Sequence, residues 1–235
     1  APNARLEQSD DCVTEQHTAP TLSATAPRDP LIGTTVAGFQ LEAIHGFGAS
    51  SIVYRARQVE SGRGAVFKVL KPELAGDPDH VRRLAEEARA IAALQHPQVI
   101  ELLDSGTLPG GQPFLVTERC EGLTLEEQLC FGSKLGLRDL LELLDQLLGA
   151  LIAAHGAGIV HRDLKPTNLF LVGGPDGSRS LKVLDFGLAP RGRFNGGSAD
   201  YLAPEQIRNA ELGGWTDVYA CGSIAFRLLT GRLPF

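Results

Sequence analysis

The chain has 235 residues, of which 43% are hydrophobic and 21% are charged, so it is long enough to bury at least one substantial core. Its formal net charge of −6 argues against a surface that binds nucleic acid. The four cysteines lack the short paired spacings of a zinc site, and no apolar run reaches the length of a membrane span. We therefore expect a globular protein with no membrane segment, in a reducing, cytoplasmic setting.

The beginning of the chain differs in composition from the rest. Residues 1–36 are polar, rich in Thr, Ser, Ala and Pro, and show no sustained period. This composition predicts a disordered lead-in. We expect the packed domain to cover residues 37–235, with a first lobe at about 37–118 and a second at about 119–235.

The first lobe opens with a pattern typical of a β-hairpin. Apolar and polar residues alternate over residues 39–44 and 52–57, and the tip between them carries Gly46 and Gly48. A dinucleotide-binding fold would need a helix after such a tip, but a strand pattern follows, so that interpretation fails. Glycine lacks a Cβ, so the backbone N–H groups of this tip could approach phosphate oxygens closely.

The rest of the first lobe is predicted to contain three more strands and a helix. Residues 64–70 form a strand pattern in which Lys68 is the one charged side chain. Apolar residues at spacings of three and four predict a helix over residues 79–94. Strands over residues 98–104 and 112–118 would complete a five-stranded antiparallel lobe.

The second lobe is predicted to be mainly helical. Thr124 and Glu127 have the spacing of a capping box, which indicates a helix start. Leucines at helical spacing predict a long helix over residues 137–155, and another apolar helix is expected at residues 215–230.

The most informative stretch lies between these helices and reads His161-Arg162-Asp163-Leu164-Lys165-Pro166-Thr167-Asn168. Pro166 disfavours a regular helix there, so Asp163 and Asn168 can converge on one small volume. A hairpin predicted at residues 169–172 and 181–184 would bring Asp185 to the same place. One carboxylate that accepts a hydroxyl proton, with an amide and a second carboxylate that hold Mg²⁺, suits phosphoryl transfer.

The motif at residues 161–168, followed by Asp185-Phe186-Gly187 and by Ala203-Pro204-Glu205, resembles the protein-kinase superfamily. The form of this motif with Lys165 resembles Ser/Thr kinases rather than Tyr kinases, and the distance from Glu87 to His96-Pro97 resembles the bacterial members of the family. The resemblance implies an α+β, bilobal, protein-kinase-like fold with a five-stranded antiparallel first lobe and a mainly helical second lobe. It also implies kinase activity, with ATP and Mg²⁺ as cofactors and a protein Ser/Thr hydroxyl as acceptor. Because the chain ends at Phe235, we expect a piece of a longer protein that lacks the final helices of this fold.

The resemblance assigns catalytic roles residue by residue. Asp163 would accept the proton of the acceptor hydroxyl, and Lys165 would steady the γ-phosphate. Lys68 would hold the α- and β-phosphates and would be oriented by Glu87, with Glu86 as the competing candidate. The two expected metal ligands are Asn168 and Asp185.

The same resemblance defines the nucleotide site and its surroundings. Ser51 stands where the family often has a third glycine, Thr117 would be the gatekeeper, and Asp217 would brace the backbone of the catalytic loop. The residues expected to contact the nucleotide are Gly46, Phe47, Gly48, Ala49, Ser50, Ser51, Val53, Val66, Lys68, Thr117, Glu118, Cys120, Phe170 and Asp185.

Two alternatives to an active protein kinase stay open on the sequence. One is a pseudokinase that binds a nucleotide or a partner without turnover, although Lys68, Glu87, Asp163, Asn168 and Asp185 are all present. The other is a small-molecule phosphotransferase, which Lys165 disfavours. Residues 188–196 contain no Ser, Thr or Tyr, so we do not expect activation by phosphorylation of this loop.

Overall fold

We describe the protein from a computed structural model. The structure describes residues 29–131, 136–173, 178–186 and 199–234. Residues from Leu31 onward belong to one compact unit. Within the described residues, no helix combines the length and the apolar character needed to cross a membrane.

The first lobe is a curled antiparallel sheet. Its strands follow one another in space as β1-β2-β3-β4-β6-β5. Their bounds are β1 Thr35–Val36, β2 Phe39–Phe47, β3 Ser51–Gln58, β4 Gly64–Leu70, β5 Leu102–Thr107 and β6 Pro113–Glu118. The sheet therefore has six strands rather than the expected five, because β1, in the segment expected to be a lead-in, pairs with β2.

One expected strand lies elsewhere than predicted. Residues 98–104 do not form a single strand, because their first part bonds to the second lobe. Val183 donates its backbone N–H to Gln98 (2.7 Å) and accepts from Ile100 (3.1 Å). The strand β5 in the sheet begins only at Leu102. This short parallel pairing joins the two lobes just ahead of Asp185.

Strand alternation explains how β4 presents Lys68. Ala65, Phe67 and Val69 are buried on one face of β4, where Phe67 stacks on Phe114 with ring centroids 4.6 Å apart. Lys68 occupies the opposite face, as the two-residue period of a strand requires. The helix α1, Pro78–Ala93, covers the sheet and packs through Leu84.

The second lobe combines helices with a small sheet. Its elements are β7 Gly122–Thr124, α2 Leu125–Cys130, α3 Leu137–Gly156, β8 Leu169–Gly173, β9 Arg179–Val183, α4 Pro204–Ile207 and α5 Gly214–Thr230. The capping box is confirmed: the Thr124 hydroxyl accepts from the Glu127 backbone, and the Glu127 carboxylate accepts from the Thr124 backbone. Leu147 and Leu151 of α3 share a buried core with Ile224 of α5. Leu164 belongs to the same core, so the loop at residues 161–168, hereafter the catalytic loop, is packed against these helices.

Candidate active site

A buried ion pair joins β4 to α1. Lys68 Nζ lies 2.9 Å from Glu87 Oε1 and 3.1 Å from Oε2, and 3.6 Å from Asp185 Oδ1. The Glu87 side chain is 2% exposed, whereas Glu86 is 52% exposed and lies 3.7 Å from Arg82. The geometry therefore favours Glu87 over Glu86 as the partner of Lys68.

Burial and charge act in opposite directions on this pair. Burial raises the pKa of Glu87 to about 7, although the charge of Lys68 acts to lower it. For Lys68, burial lowers the pKa, but the negative charges of Asp185 and Glu87 outweigh that effect and the pKa is raised. The lysine therefore stays cationic at neutral pH.

The catalytic loop is held by a buried carboxylate from α5. Asp217 accepts hydrogen bonds from the backbone N–H groups of His161 (2.9 Å) and Arg162 (2.8 Å). His155 of α3 adds a third contact, with Nε2 2.7 Å from Asp217 Oδ2. These bonds hold Arg162 at a φ of 68°, a left-handed conformation that few non-glycine residues adopt. The expected bracing role of Asp217 is confirmed.

Three of the predicted catalytic side chains meet directly after this turn. Lys165 Nζ lies 2.9 Å from Asp163 Oδ2. Asn168 Nδ2 donates to the carbonyl of Asp163 (2.8 Å) and, at 3.2 Å, to its Oδ2. The segment Pro166–Asn168 forms one turn of 3₁₀ helix instead of an α-helix, as expected for a chain interrupted by Pro166. Asp163 and Asn168 therefore share one volume.

Asp185 follows β9, and the backbone just before it lies beside Asn168. The backbone N–H of Leu184 donates to the carbonyl of Asn168 (2.9 Å), which fixes the two segments against each other. His161 Nε2 lies 2.8 Å from the carbonyl of Leu184, and its ring packs against the buried ring of Phe186 at 4.7 Å. The Phe186 side chain is buried in the core, whereas that of the preceding residue, Asp185, faces Lys68.

The side-chain oxygens of Asn168 and Asp185 are of the type that binds a hard divalent cation. The Nδ2 atom of Asn168 is engaged with Asp163, which leaves its Oδ1 as the side-chain atom able to bind a cation. The Asp185 carboxylate is 42% exposed and can be reached from solvent. A carboxylate and an amide oxygen, completed by waters and phosphate oxygens, make a typical Mg²⁺ site.

The glycine-containing tip between β2 and β3 forms a closed hairpin. Gly48 N–H donates to the Ser51 carbonyl (2.8 Å), and Lys71 Nζ donates to the Ala49 carbonyl (3.1 Å). Ser51 is buried, and a Cβ placed on Gly48 would lie 3.1 Å from its hydroxyl oxygen. The Ser51 side chain therefore packs against the tip, and Phe47 is exposed at its end.

Comparison with known proteins shows the family to which the chain belongs. The protein kinase domain family matches the chain over residues 39–235. The chain belongs to this family. It is 37% identical to the serine/threonine-protein kinase pkn3 of Myxococcus xanthus over 90% of its own length and 41% of that protein. It is 34% identical to the serine/threonine-protein kinase PrkC of Bacillus subtilis over 87% of its length and 32% of that protein.

The solved structures agree. The crystal structure of the PknI kinase domain of Mycobacterium tuberculosis matches with a TM-score of 0.69 and 29% sequence identity, over 86% of this chain and 78% of that one. The bilobal kinase fold expected from the sequence is thereby confirmed. The chain spans roughly a third to two-fifths of the length of the curated relatives named above.

The predicted adenine-site residues lie on strands of both sheets. Val53 is opposite Lys68 in the register of β3 and β4, and Val66 is opposite Thr117 in the register of β4 and β6. Phe170 lies on β8, where it pairs with Thr124. The register therefore brings Val53 next to Lys68 and Val66 next to Thr117, and the adenine contacts of all these residues stay a prediction.

Strand β6 ends at Glu118, and Cys120 lies two residues further along the chain. Burial raises the pKa of the Cys120 thiol to about 11, so the thiol stays protonated at neutral pH. The side chain of Glu118 is already engaged: it lies 2.7 Å from Lys182 Nζ of β9 and 3.5 Å from an Arg63 nitrogen. Any contact of Glu118 with adenine would therefore use its backbone.

We expect Thr117→Met to weaken adenine-site inhibitors that carry a bulky substituent at least about tenfold, or 1.4 kcal/mol, because methionine would fill the space behind the adenine. ATP affinity should change less, because ATP carries no such substituent. Competition binding with a matched pair of inhibitors, with and without the substituent, measures this difference. Equal affinity of the bulky inhibitor for both proteins would show that no pocket lies behind Thr117.

Sequence reasoning missed several contacts that organise the site. These are His155 with Asp217, Lys182 with Glu118, and Gln206 with the backbone of Arg162. The two partners of each contact are 44 to 64 residues apart along the chain, so no local sequence pattern indicates that they meet. The expectations about Gly187 and about the loop that follows it lie outside the described residues.

Proposed function

We propose that this domain transfers the γ-phosphoryl group of Mg²⁺–ATP to serine or threonine hydroxyls of proteins. The observation that carries the proposal is the simultaneous pairing of Lys68 with Glu87 (2.9 Å) and its approach to Asp185 (3.6 Å). Protein kinases require both the lysine–glutamate pair and the metal-binding aspartate in place for turnover. The same observation argues against a pseudokinase in which the site is dismantled.

In this proposal, the nucleotide is held mainly by charge and by backbone donors. Gly46, near the end of β2, and Gly48, in the hairpin tip, lie over the phosphates. Lys68 binds the α- and β-phosphates while Glu87 fixes its direction. Asn168 and Asp185 hold Mg²⁺, which when bound neutralises negative charge on the transferred group. The protein contributes mostly by positioning and by fixed electrostatics.

The acceptor side depends on the catalytic loop. Asp163 orients the acceptor hydroxyl and accepts its proton, and Asn168 fixes the direction of the Asp163 carboxylate through the 3.2 Å contact. Lys165, 2.9 Å from Asp163, can reach the γ-phosphate and steady it during transfer. The transferred group then passes directly from ATP to the acceptor oxygen.

The substrate class and the setting complete the proposal. The relatives named above are called serine/threonine-protein kinases, which supports a protein acceptor over a small molecule. The net charge of −6 supports partners other than nucleic acid. We propose a cytoplasmic location because the reaction consumes ATP.

The direct test is to incubate the purified protein with γ-labelled ATP, Mg²⁺ and a generic protein acceptor. Mass spectrometry should then find phosphate on serine or threonine of the acceptor. Binding of ATP without any transfer would support a pseudokinase instead. Transfer of phosphate to small molecules but not to the protein acceptor would support a small-molecule phosphotransferase.

Phosphatase treatment of the active domain is expected to leave its rate within about twofold of the untreated rate, because residues 188–196 offer no hydroxyl to a kinase. Tyr201 follows this loop, but its buried hydroxyl accepts a hydrogen bond from Arg227. Rate assays before and after treatment, with mass spectrometry of residues 188–205, test this. A large loss of rate traced to Ser198 or Tyr201 would contradict it.

A further inference from the structure

Gln206 of α4 links the backbone at Arg162, in the catalytic loop, to the backbone at Ala203, just before α4. Its side-chain Nε2 donates to the carbonyl of Arg162 (2.7 Å), and its Oε1 accepts from the backbone N–H of Ala203 (3.0 Å). The orientation of the amide is fixed by chemistry, because a carbonyl can only accept and a backbone N–H can only donate. Both ends of this side chain are therefore used.

The Arg162 carbonyl belongs to the peptide that carries Asp163. A peptide is planar, so fixing its oxygen also limits the rotation of the Asp163 nitrogen and Cα. The two peptides before it are fixed by Asp217 through the N–H groups of His161 and Arg162. For the third peptide, the Asp163 N–H makes only a long contact of 3.3 Å with His161 Nδ1. Of these two contacts, the bond from Gln206 is the shorter.

The other end of the bridge reaches the backbone just before α4, which lies beside the catalytic loop. Ala203 precedes α4, and its neighbours Tyr201 and Leu202 line one small cavity together with Asp163 and Lys165. A displacement of this segment would pull on Gln206 and, through it, on the peptide ahead of Asp163. The direction of the Asp163 carboxylate is thus coupled to the placement of residues 201–206.

We propose that Gln206 is a positioning residue for phosphoryl transfer, which sets the Asp163 carboxylate only when the segment at Ala203 is in place. This inference rests on the proposed function, since it assigns Gln206 a part in that reaction. It predicts a defect in turnover without a comparable defect in ATP binding, because the side-chain hydrogen bonds of Gln206 within the described residues go to Arg162 and Ala203, which are not assigned to the nucleotide phosphates.

Two variants and one matched control test the proposal. Gln206→Glu keeps the acceptor for Ala203 but loses the donor to Arg162, and Gln206→Met removes both without adding charge. Gln146→Glu is the control, because Gln146 makes the same kind of bridge between α3 and β9: it donates to the Arg179 carbonyl (3.2 Å) and accepts from the Leu181 N–H (2.8 Å). Both glutamines are partly buried.

We expect both Gln206 variants to lose at least about tenfold in kcat for a protein acceptor, with the Kd for ATP within about twofold of wild type, and Gln146→Glu to keep kcat within about twofold. Hydrogen exchange of a peptide covering residues 159–168 should be faster in both Gln206 variants and unchanged in Gln146→Glu. Unchanged exchange, unchanged kcat in both Gln206 variants, or an equal loss of kcat in the control would overturn the proposal. If the wild-type protein transfers no phosphate, the proposed function fails, and the exchange result alone decides whether Gln206 holds the loop.

Discussion

Asp163→Asn is expected to lower kcat for a protein acceptor by at least about 100-fold, because the amide cannot accept the hydroxyl proton. The fold should be preserved, since the amide oxygen can replace Oδ2 as the acceptor for Lys165 and Asn168. The Kd for ATP should stay within about twofold, because Asp163 is assigned to the acceptor hydroxyl and not to the nucleotide. Steady-state phosphorylation and ATP binding, measured on the same preparation, check both statements.

Asp145→Asn is a suitable control for this variant. Asp145 lies on the exposed side of α3, and the same change of charge there should leave both quantities unchanged within about twofold. Wild-type turnover by Asp163→Asn would show that another group accepts the proton. A large loss of ATP affinity would place Asp163 at the nucleotide instead.

Lys68→Met is expected to impair ATP binding and turnover together. We expect the Kd for ATP to rise at least about tenfold and kcat to fall at least about 100-fold, because the cation that holds the phosphates is removed. The fold should survive, since Glu87 already has a raised pKa and can take up a proton when its partner is lost. Calorimetric titration with ATP and initial-rate assays measure the two effects.

The two neighbouring glutamates of α1 provide a matched comparison. Glu87→Gln should lower kcat, because a neutral amide holds Lys68 less firmly, whereas Glu86→Gln alters a side chain that is half exposed and should have little effect. If both substitutions, or neither, changed kcat, the pairing of Lys68 with Glu87 would not contribute to turnover as we propose.

The sequence predicted those parts of the fold that short-range pattern determines. The strand at residues 64–70 and the helix at residues 215–230 were expected within one residue of where β4 and α5 lie, because each has a strong apolar period bounded by glycine or polar residues. The residues of the catalytic loop were identified because their order and spacing along the chain resemble a known family.

Contacts that depend on distant parts of the chain could not be predicted in the same way. The segment at residues 98–100 reads as a strand, but only the folded chain shows that it pairs with Val183 and not with β6. Gln206 and His155 are ordinary polar residues in the sequence, and each becomes important only because of the backbone or carboxylate that it meets. Local pattern carries no information on such partners.

In the proposed reaction, the assembled site transfers phosphate from Mg²⁺–ATP to protein hydroxyls over many cycles. The most direct measurement counts the moles of labelled phosphate transferred to a protein acceptor per mole of enzyme, for wild type and Asp163→Asn in parallel, with ATP binding verified for both. We predict many transfers per wild-type molecule and almost none for the variant. ATP binding by both proteins with no transfer by wild type, or equal transfer by both, would contradict the account.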